Sequence, residues 1–229
     1  MKTLLQFLKE QKLQPKRIEL FELAFTHTSV NHEHKGIGKD YERLEFIGDA
    51  FLSMVVADLV FRLHPEWSQG ELSKTRAKLV QTENLVKIAK QLQLADYVTI
   101  GHSITREGVS QSKKILEDIF EAFIGAVYLD QGVAKAAAYV RRFFEERIRH
   151  LTMDELTDYK TKLQEDMQAE FREAVHYETI KEEGPAHEKI FTVHVKFKDL
   201  TLGEGKGPSK KIAEQLAAKA ALSKKARVQ

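Results

Sequence analysis

Apolar side chains recur every three or four positions through most of the first 150 residues, which is the spacing of helices that bury one face. Pro15, Pro65, the loop 36–39 and the polar stretch 101–112 interrupt this pattern. The pattern therefore predicts an all-helical region, with helices over residues 3–12, 18–25, 41–63, 70–80, 82–92, 114–130 and 133–149.

The pattern changes after His150. Residues 151–157 are polar and predict a linker, residues 159–173 are helical, and residues 189–197 alternate apolar and polar side chains as a half-buried strand does. Two flanking segments, 176–181 and 200–204, predict partner strands, and Ser209 is a plausible N-cap for an Ala-rich last helix. The core of this αβββα unit is predicted to include Tyr159, Leu163, Phe191, Val193, Ala213, Ala217 and Ala220.

These patterns predict a mainly α fold with two domains. An all-helical domain at residues 1–150 is joined by the linker 151–157 to a small α+β domain at residues 158–227. The 229 residues are 42% hydrophobic and 31% charged, which excludes global disorder.

Composition excludes several classes of function. The chain has no cysteine, so a disulfide scaffold, a thiolate zinc site and a cysteine nucleophile are ruled out. It has no apolar run long enough to span a bilayer and no signal peptide, so we expect a cytoplasmic protein without a membrane partner. The net charge is only +2, but residues 205–229 carry seven basic side chains and one acidic one, which makes this end a candidate polyanion contact.

Two predicted helices carry acidic stripes on otherwise apolar surfaces. Glu42, Glu45 and Asp49, followed by Ser53, fall on one stripe of the helix 41–63, and no Lys or Arg lies four residues further along. Asp118 and Glu121 share a face of the helix 114–130. Gly48 and Gly125 lie close to the stripes and would let the two helices approach closely.

If the stripes meet, five carboxylates converge in a weakly solvated cleft, and a bound cation would relieve their repulsion. All-oxygen ligands favour Mg²⁺ or Mn²⁺, and such a site suits hydrolysis of a phosphodiester. The alternative interpretation is that each stripe is the solvent edge of an ordinary helix, but two pairs on two unusually apolar helices disfavour it. His27, His32 and His34 lie in and beside a loop, where an ordinary structural role is favoured over metal binding.

The sequence also resembles a known family. The segment Glu42–Asp49 (ERLEFIGD) resembles the signature of ribonuclease III, residues 118–130 (DIFEAFIGAVYLD) resemble that family's second acidic helix, and residues 24–29 (AFTHTS) resemble its N-terminal helix end. Further along, three segments are similar to a double-stranded RNA-binding domain: DYKTKLQE at 158–165, GPAH at 184–187 and GKGPSKK at 205–211.

The resemblance implies a homodimeric, Mg²⁺-dependent endoribonuclease, with Mn²⁺ as a substitute and no small-molecule cofactor. Such enzymes cut both strands of duplex RNA to leave 5′-phosphates and short 3′ overhangs, typically in rRNA precursor and mRNA processing. The resemblance makes Asp49 and Glu121 the principal catalytic residues and places Glu45 and Phe46 in the support of the active site and the dimer interface. The implied metal ligands are Glu42, Asp49, Asp118 and Glu121.

Duplex RNA is recognised by its shape, its 2′-hydroxyls and its phosphates. Gln164 and Gln168, one helical turn apart, are predicted to contact one minor groove, and His187 in a loop the next. Cations between the two grooves would bind phosphates, and the candidates are Lys206, Lys210 and Lys211.

The chain has Ile47 where the family signature usually has Leu, and it departs from the family pattern more strongly at two other places. Gln69 stands where the family usually has a Glu, and the stretch 101–112 lacks the usual paired glycines and has Ile104 where an acid is expected. Two other functions therefore stay open: a binder of duplex RNA without cleavage, and a Mg²⁺-dependent nucleotide pyrophosphatase. The intact acidic set disfavours the first, and the C-terminal domain disfavours the second.

Overall fold

The computed structural model describes residues 2–30, 40–152, 154, 157–185 and 188–225. The chain divides into two compact units, Met1–Thr152 and Met153–Gln229. Asp154, inside the predicted linker, lies 2.5 Å from Lys219 and accepts a hydrogen bond from the Tyr159 hydroxyl, so this residue is part of the second unit. The domain boundaries 1–150, 151–157 and 158–227 stay predictions.

The described part of the first unit is helical, as predicted. Its helices are α1 (Leu4–Glu10), α2 (Ile18–Ala24), α3 (Glu42–Leu63), α4 (Gln69–Leu79), α5 (Thr82–Gln91), α6 (Arg106–Gln111), α7 (Lys113–Gln131) and α8 (Val133–Arg149), with a 3₁₀ turn at Leu94–Tyr97.

Helix α6 lies within the polar stretch 101–112, so the prediction of a break between helices over this whole stretch is wrong. Thr105 caps this short helix by accepting a hydrogen bond from the Gly108 backbone N–H at 3.1 Å. Val109 is its one buried residue. A single apolar position gives no periodicity, so the sequence pattern could not reveal the helix.

Helices α3 and α7 cross at two glycines. A Cβ atom on Gly48 would lie 1.8 Å from the Glu121 carbonyl oxygen, and one on Gly125 would lie 2.2 Å from the Leu44 carbonyl oxygen. The backbones therefore touch in a way that any side chain would prevent, as the sequence predicted. Helix α7 is buried on nearly all sides, so it is a fixed support for the residues it carries.

The second unit has the predicted αβββα order. Its elements are α9 (Tyr159–Phe171), β1 (His176–Glu183), β2 (Ile190–Phe197), β3 (Leu200–Gly207) and α10 (Lys210–Lys225). The strands form one antiparallel sheet in the order β1-β2-β3, and α10 packs on it. The mainly α fold class, with a small α+β unit at its end, is confirmed.

Strand β3 extends three residues past the predicted strand, through Gly207. Alternate glycines allow this, because a Cβ on Gly205 would lie 2.2 Å from the Ala213 carbonyl oxygen of α10. Leu163, Val193, Ala213 and Ala217 are buried as predicted, whereas Tyr159 and Phe191 are half-buried. The prediction for Ala220 is wrong, since the helix turns that residue partly outward and buries Ala218 and Ala221 instead.

Among the described residues, no helix combines the length and the apolar character that crossing a bilayer requires.

Candidate active site

The crossing of α3 and α7 brings the two acidic stripes together, as predicted. Glu45 on α3 and Asp118 and Glu121 on α7 each offer a carboxylate oxygen, and these oxygens lie within 4.8 Å of one another. Asp118 is 5% exposed and Glu121 is 7% exposed, so two of the three acids are withdrawn from water. The interpretation of the stripes as the solvent edges of two separate helices is therefore wrong.

An open cleft of about 540 Å³ lies over this cluster. It is lined by Glu42, Glu45, Phe46, Asp49, Val80, Lys114, Glu117 and Glu121. Glu42 and Asp49, both implied metal ligands, are exposed along its wall. Buried Asp118 does not line the cleft; it accepts a hydrogen bond from the Tyr41 hydroxyl at 3.4 Å.

Burial and like charge make the ionised form of this cluster unfavourable. The pKa of Glu121 is raised to about 8, first by its removal from water and then by the charges of Asp49, Glu117, Glu45 and Asp118. The pKa of Glu45 is also raised, mainly by burial and by the charge of Asp118. A cation bound here would be stabilised by the same charges that repel one another.

Lys114 is part of the cluster, and the sequence analysis missed it. Its Nζ lies 2.5 Å from Asp118 Oδ1 and 3.3 Å from Glu45 Oε1. The absence of a Lys or Arg four residues after Glu45 therefore does not leave this acid without a basic partner. No basic residue lies four residues after the acids in the acidic stripe of α3, but Lys114 lies on α7, four residues before Asp118. That spacing was available as a signal.

Glu117 is a further acid that the sequence analysis missed. It is half-buried, lines the cleft and is one of the charges that raise the pKa of Glu121. It precedes Glu121 by four residues and so shares its helix face, which a search for i,i+4 pairs would have found.

Gln69, at the position where the family usually has a Glu, does not line the cleft. It is exposed at the first position of α4, where its Nε2 donates a hydrogen bond to Ser73 Oγ at 3.1 Å. Val80, just after the end of α4, lines the cleft instead.

His27 has a local structural contact and lies outside the cleft. Its Nδ1 is 2.9 Å from Ser29 Oγ and accepts a hydrogen bond from the Ser29 backbone N–H at 3.1 Å. Burial lowers the pKa of His27, which favours its neutral form. His32 and His34 lie outside the described residues.

The predicted RNA-contacting residues of the second unit differ in their surroundings. Gln164 is half-buried and its Oε1 accepts a hydrogen bond from the Val175 backbone N–H at 3.3 Å, whereas Gln168 is exposed. Lys206 lies 3.7 Å from Glu204.

Two more of the residues predicted to contact RNA lie at the start of helix α10. Lys210 lies 3.0 Å from Glu182, and its Nζ is 5.7 Å from the centre of the Phe191 ring. Lys211 is exposed. His187 lies outside the described residues. The roles of all six residues in RNA binding stay predictions.

Helix α3 also has an exposed apolar stripe. Phe46 is 79% exposed, Met54 51% and Phe61 67%, and exposed Ala50 lies between the first two. These residues are spaced by about one or two helical turns, so they share one face over about 22 Å. Exposed apolar residues along one helix face are typical of a protein interface.

Comparisons with known proteins agree with this geometry. A family described as Ribonuclease-III-like matches residues 17–148, and a double-stranded RNA binding motif matches residues 159–225. A protein named Ribonuclease 3 from Streptococcus pneumoniae (strain CGSP14) is 40% identical over 207 residues, which are 90% of this chain and 89% of the relative.

Solved structures give the same result for the first unit. The nuclease domain of ribonuclease III from Campylobacter jejuni is 32% identical, with a TM-score of 0.58, over 66% of this chain and all of that chain. A second structure of that domain, described by its flexibility in a region involved in dimer formation, is 33% identical with a TM-score of 0.56, over 61% of this chain and 94% of that chain. The chain belongs to the ribonuclease III family of endoribonucleases and carries a double-stranded RNA-binding domain.

Proposed function

We propose that this endoribonuclease uses Mg²⁺, held by Glu42, Asp49, Asp118 and Glu121, to cleave both strands of duplex RNA to 5′-phosphates and short 3′ overhangs. The observation that carries the proposal is the convergence of Glu45, Asp118 and Glu121 within 4.8 Å beneath an acidic cleft. Processing of rRNA precursors and mRNA in the cytoplasm is the corresponding physiological role.

The donor set fits a hard divalent cation. Every acidic donor is a carboxylate oxygen, which Mg²⁺ and Mn²⁺ prefer, and the described cleft offers no thiolate or imidazole ligand. The raised pKa of Glu121 means that this site holds a proton near neutral pH when it is empty. Binding of a cation would displace that proton, so affinity should rise with pH up to about 8.

The residues of the chain have separate tasks in this proposal. When bound, Mg²⁺ activates water and stabilises the charge that develops on the phosphodiester. Asp118 is buried and fixed by Tyr41 and Lys114, so it supplies a rigid anchor. Exposed Glu42 and Asp49 line the wall that a phosphate would approach. Glu121 is fixed by the close contact of its own backbone with Gly48.

We further propose that the chain acts as a homodimer through the apolar stripe of α3, defined above by Phe46, Ala50, Met54 and Phe61. Phe46 both lines the cleft and is largely exposed, so a partner that covers it would come close to the cleft. Two clefts in one dimer would allow cleavage of both strands of one duplex.

The second unit would hold the duplex. Gln168 on α9 and Lys211 at the start of α10 are exposed and can reach RNA. We propose His187 as a further contact on the sequence alone. The Gln164 Oε1 already accepts one hydrogen bond from the Val175 N–H, so this residue would contact RNA through its amide N–H groups or the second acceptor position of its oxygen.

The test is cleavage of a 5′-labelled RNA duplex in Mg²⁺, with mapping of both product ends, for the natural protein and for Asp49→Asn. We expect cleavage that leaves 5′-phosphates and staggered 3′ ends, and a loss of at least about 100-fold in rate for Asp49→Asn. Glu66→Gln, which changes an exposed acid outside the cleft, is the matched control and should keep its activity. Retarded but intact RNA in Mg²⁺ would instead identify a binding protein, and hydrolysis of free nucleotides a pyrophosphatase.

A further inference from the structure

Lys114 is positioned to neutralise part of the charge of the acidic cluster. Its side chain is 70% exposed, yet its Nζ contacts carboxylates from two different helices, at 2.5 Å from Asp118 and 3.3 Å from Glu45. Both contacts raise the pKa of Lys114, so the side chain is charged throughout the physiological range.

The balance of charge in the cleft makes this contact important. The acids that line it are Glu42, Glu45, Asp49, Glu117 and Glu121, and Asp118 is buried beside them. Among the described residues that line the cleft, Lys114 is the one basic side chain. Its ammonium group therefore shares carboxylate oxygens with any divalent cation that the cluster binds.

We infer that Lys114 is a built-in counter-ion, which stabilises the cluster when no metal is bound and lowers its affinity for a divalent cation. The inference rests on the proposed function, because it assumes that the cluster binds a metal ion. Lys114 is thus a positioning residue: it holds Asp118 and Glu45 in place and sets how readily the ion binds and leaves.

The charge alone has a measurable effect. An ion among oxygens that lie within 4.8 Å of one another is within about 5 Å of the Lys114 ammonium group. The ammonium group carries one positive charge and the cation two. Their repulsion at about 5 Å corresponds to roughly a tenfold change in affinity, even at the dielectric constant of water. Removing the charge should therefore tighten cation binding by about tenfold.

The experiment is a titration of the full chain with Mn²⁺ alone, with free ion measured by electron paramagnetic resonance. Lys114→Gln is compared with two controls. Lys114→Arg keeps the charge, and Lys113→Gln removes the charge of an exposed neighbouring lysine that lies 3.8 Å from Glu83. We expect about tenfold tighter binding for Lys114→Gln and changes below about twofold for the other two. Equal affinities for all four proteins, or equal tightening in Lys114→Arg, would overturn the inference.

Thermal unfolding in EDTA gives a second readout that needs neither metal nor catalysis. Lys114→Gln should melt several degrees below Lys113→Gln, and Lys114→Gln/Glu45→Gln should recover most of the loss, because it removes one of the two acids left without a cation. Equal melting temperatures for Lys114→Gln and Lys113→Gln would also overturn the inference.

Mn²⁺ binding by Asp118→Asn distinguishes failure of the proposed metal site from failure of the proposed role of Lys114. If Asp118→Asn binds Mn²⁺ as tightly as the natural protein, the proposed metal site itself is wrong. If Asp118→Asn loses binding while Lys114→Gln keeps the natural affinity, only the role of Lys114 is wrong.

Discussion

Replacing Glu121 by glutamine should stabilise the metal-free protein while it abolishes cleavage. In the unfolded chain this carboxyl has an ordinary pKa of 4.5, whereas in the folded protein burial and neighbouring acids raise it to about 8. Between these two values the folded state holds one proton more than the unfolded state. The free energy of unfolding therefore falls as pH rises through this window, and the loss is complete above about pH 8.

The size of this stabilisation follows from the difference between the pH of the measurement and the pKa of the carboxyl in the unfolded chain. At pH 7 the folded carboxyl is still protonated, 2.5 pH units above its unfolded pKa, and each unit is worth about 1.4 kcal/mol. Glutamine resembles the protonated acid in shape and stays neutral in both states. We therefore expect Glu121→Gln to be more stable than the natural protein by about 3 kcal/mol at pH 7 and by less than about 1 kcal/mol at pH 5.

The assay is urea unfolding in EDTA between pH 5 and 8, followed by tryptophan fluorescence. The single tryptophan, Trp67, lies in the first unit and stacks on His64, so it reports this unit selectively. Glu42→Gln removes an exposed acid from the same cleft and should shift stability by less than about 0.5 kcal/mol. The reasoning is refuted if Glu121→Gln is no more stable at pH 7 than the natural protein, or if its advantage does not grow between pH 5 and pH 7.

Three further results are expected. Gly48→Ala should destabilise the first unit by more than about 3 kcal/mol and reduce cleavage, because the new Cβ would push against the Glu121 backbone. Urea unfolding measures this, and a destabilisation below about 1 kcal/mol would contradict it. Phe46→Ser should weaken dimerisation by at least about tenfold in sedimentation equilibrium, whereas Leu5→Ser, at an exposed apolar residue outside α3, should leave it intact. Lys211→Gln should weaken binding to duplex RNA and lower the salt dependence by about one charge, and an unchanged slope would remove Lys211 from the interface.

The central features of the cleft could be predicted from the sequence because they depend on helical periodicity. Helix α3 is apolar on most of its surface, so acids at the spacing of Glu42, Glu45 and Asp49 had to share one stripe. Gly48 and Gly125 indicated where two such helices could touch. Local pattern and steric exclusion together determine this contact, and the structure confirms it.

Lys114 and Glu117 could have been found from their i,i+4 spacing on α7, whereas other features depend on contacts between separate elements. Lys114 contacts Glu45 on another helix through a long side chain, which no spacing along α3 reveals. Gln164 is predicted to contact RNA because it lies one helical turn from Gln168, but the Val175 N–H, just before β1, donates a hydrogen bond to its Oε1. Strand β3 continues through glycines that usually end a strand, because α10 packs directly on their backbone.

The most direct test is anomalous diffraction from crystals of the full chain grown with Mn²⁺. The account predicts a Mn²⁺ peak in contact with carboxylate oxygens of both Asp118 and Glu121, beneath the cleft that Glu42 and Asp49 line. An absence of any peak at that position, at a Mn²⁺ concentration that supports full cleavage of duplex RNA, would contradict it.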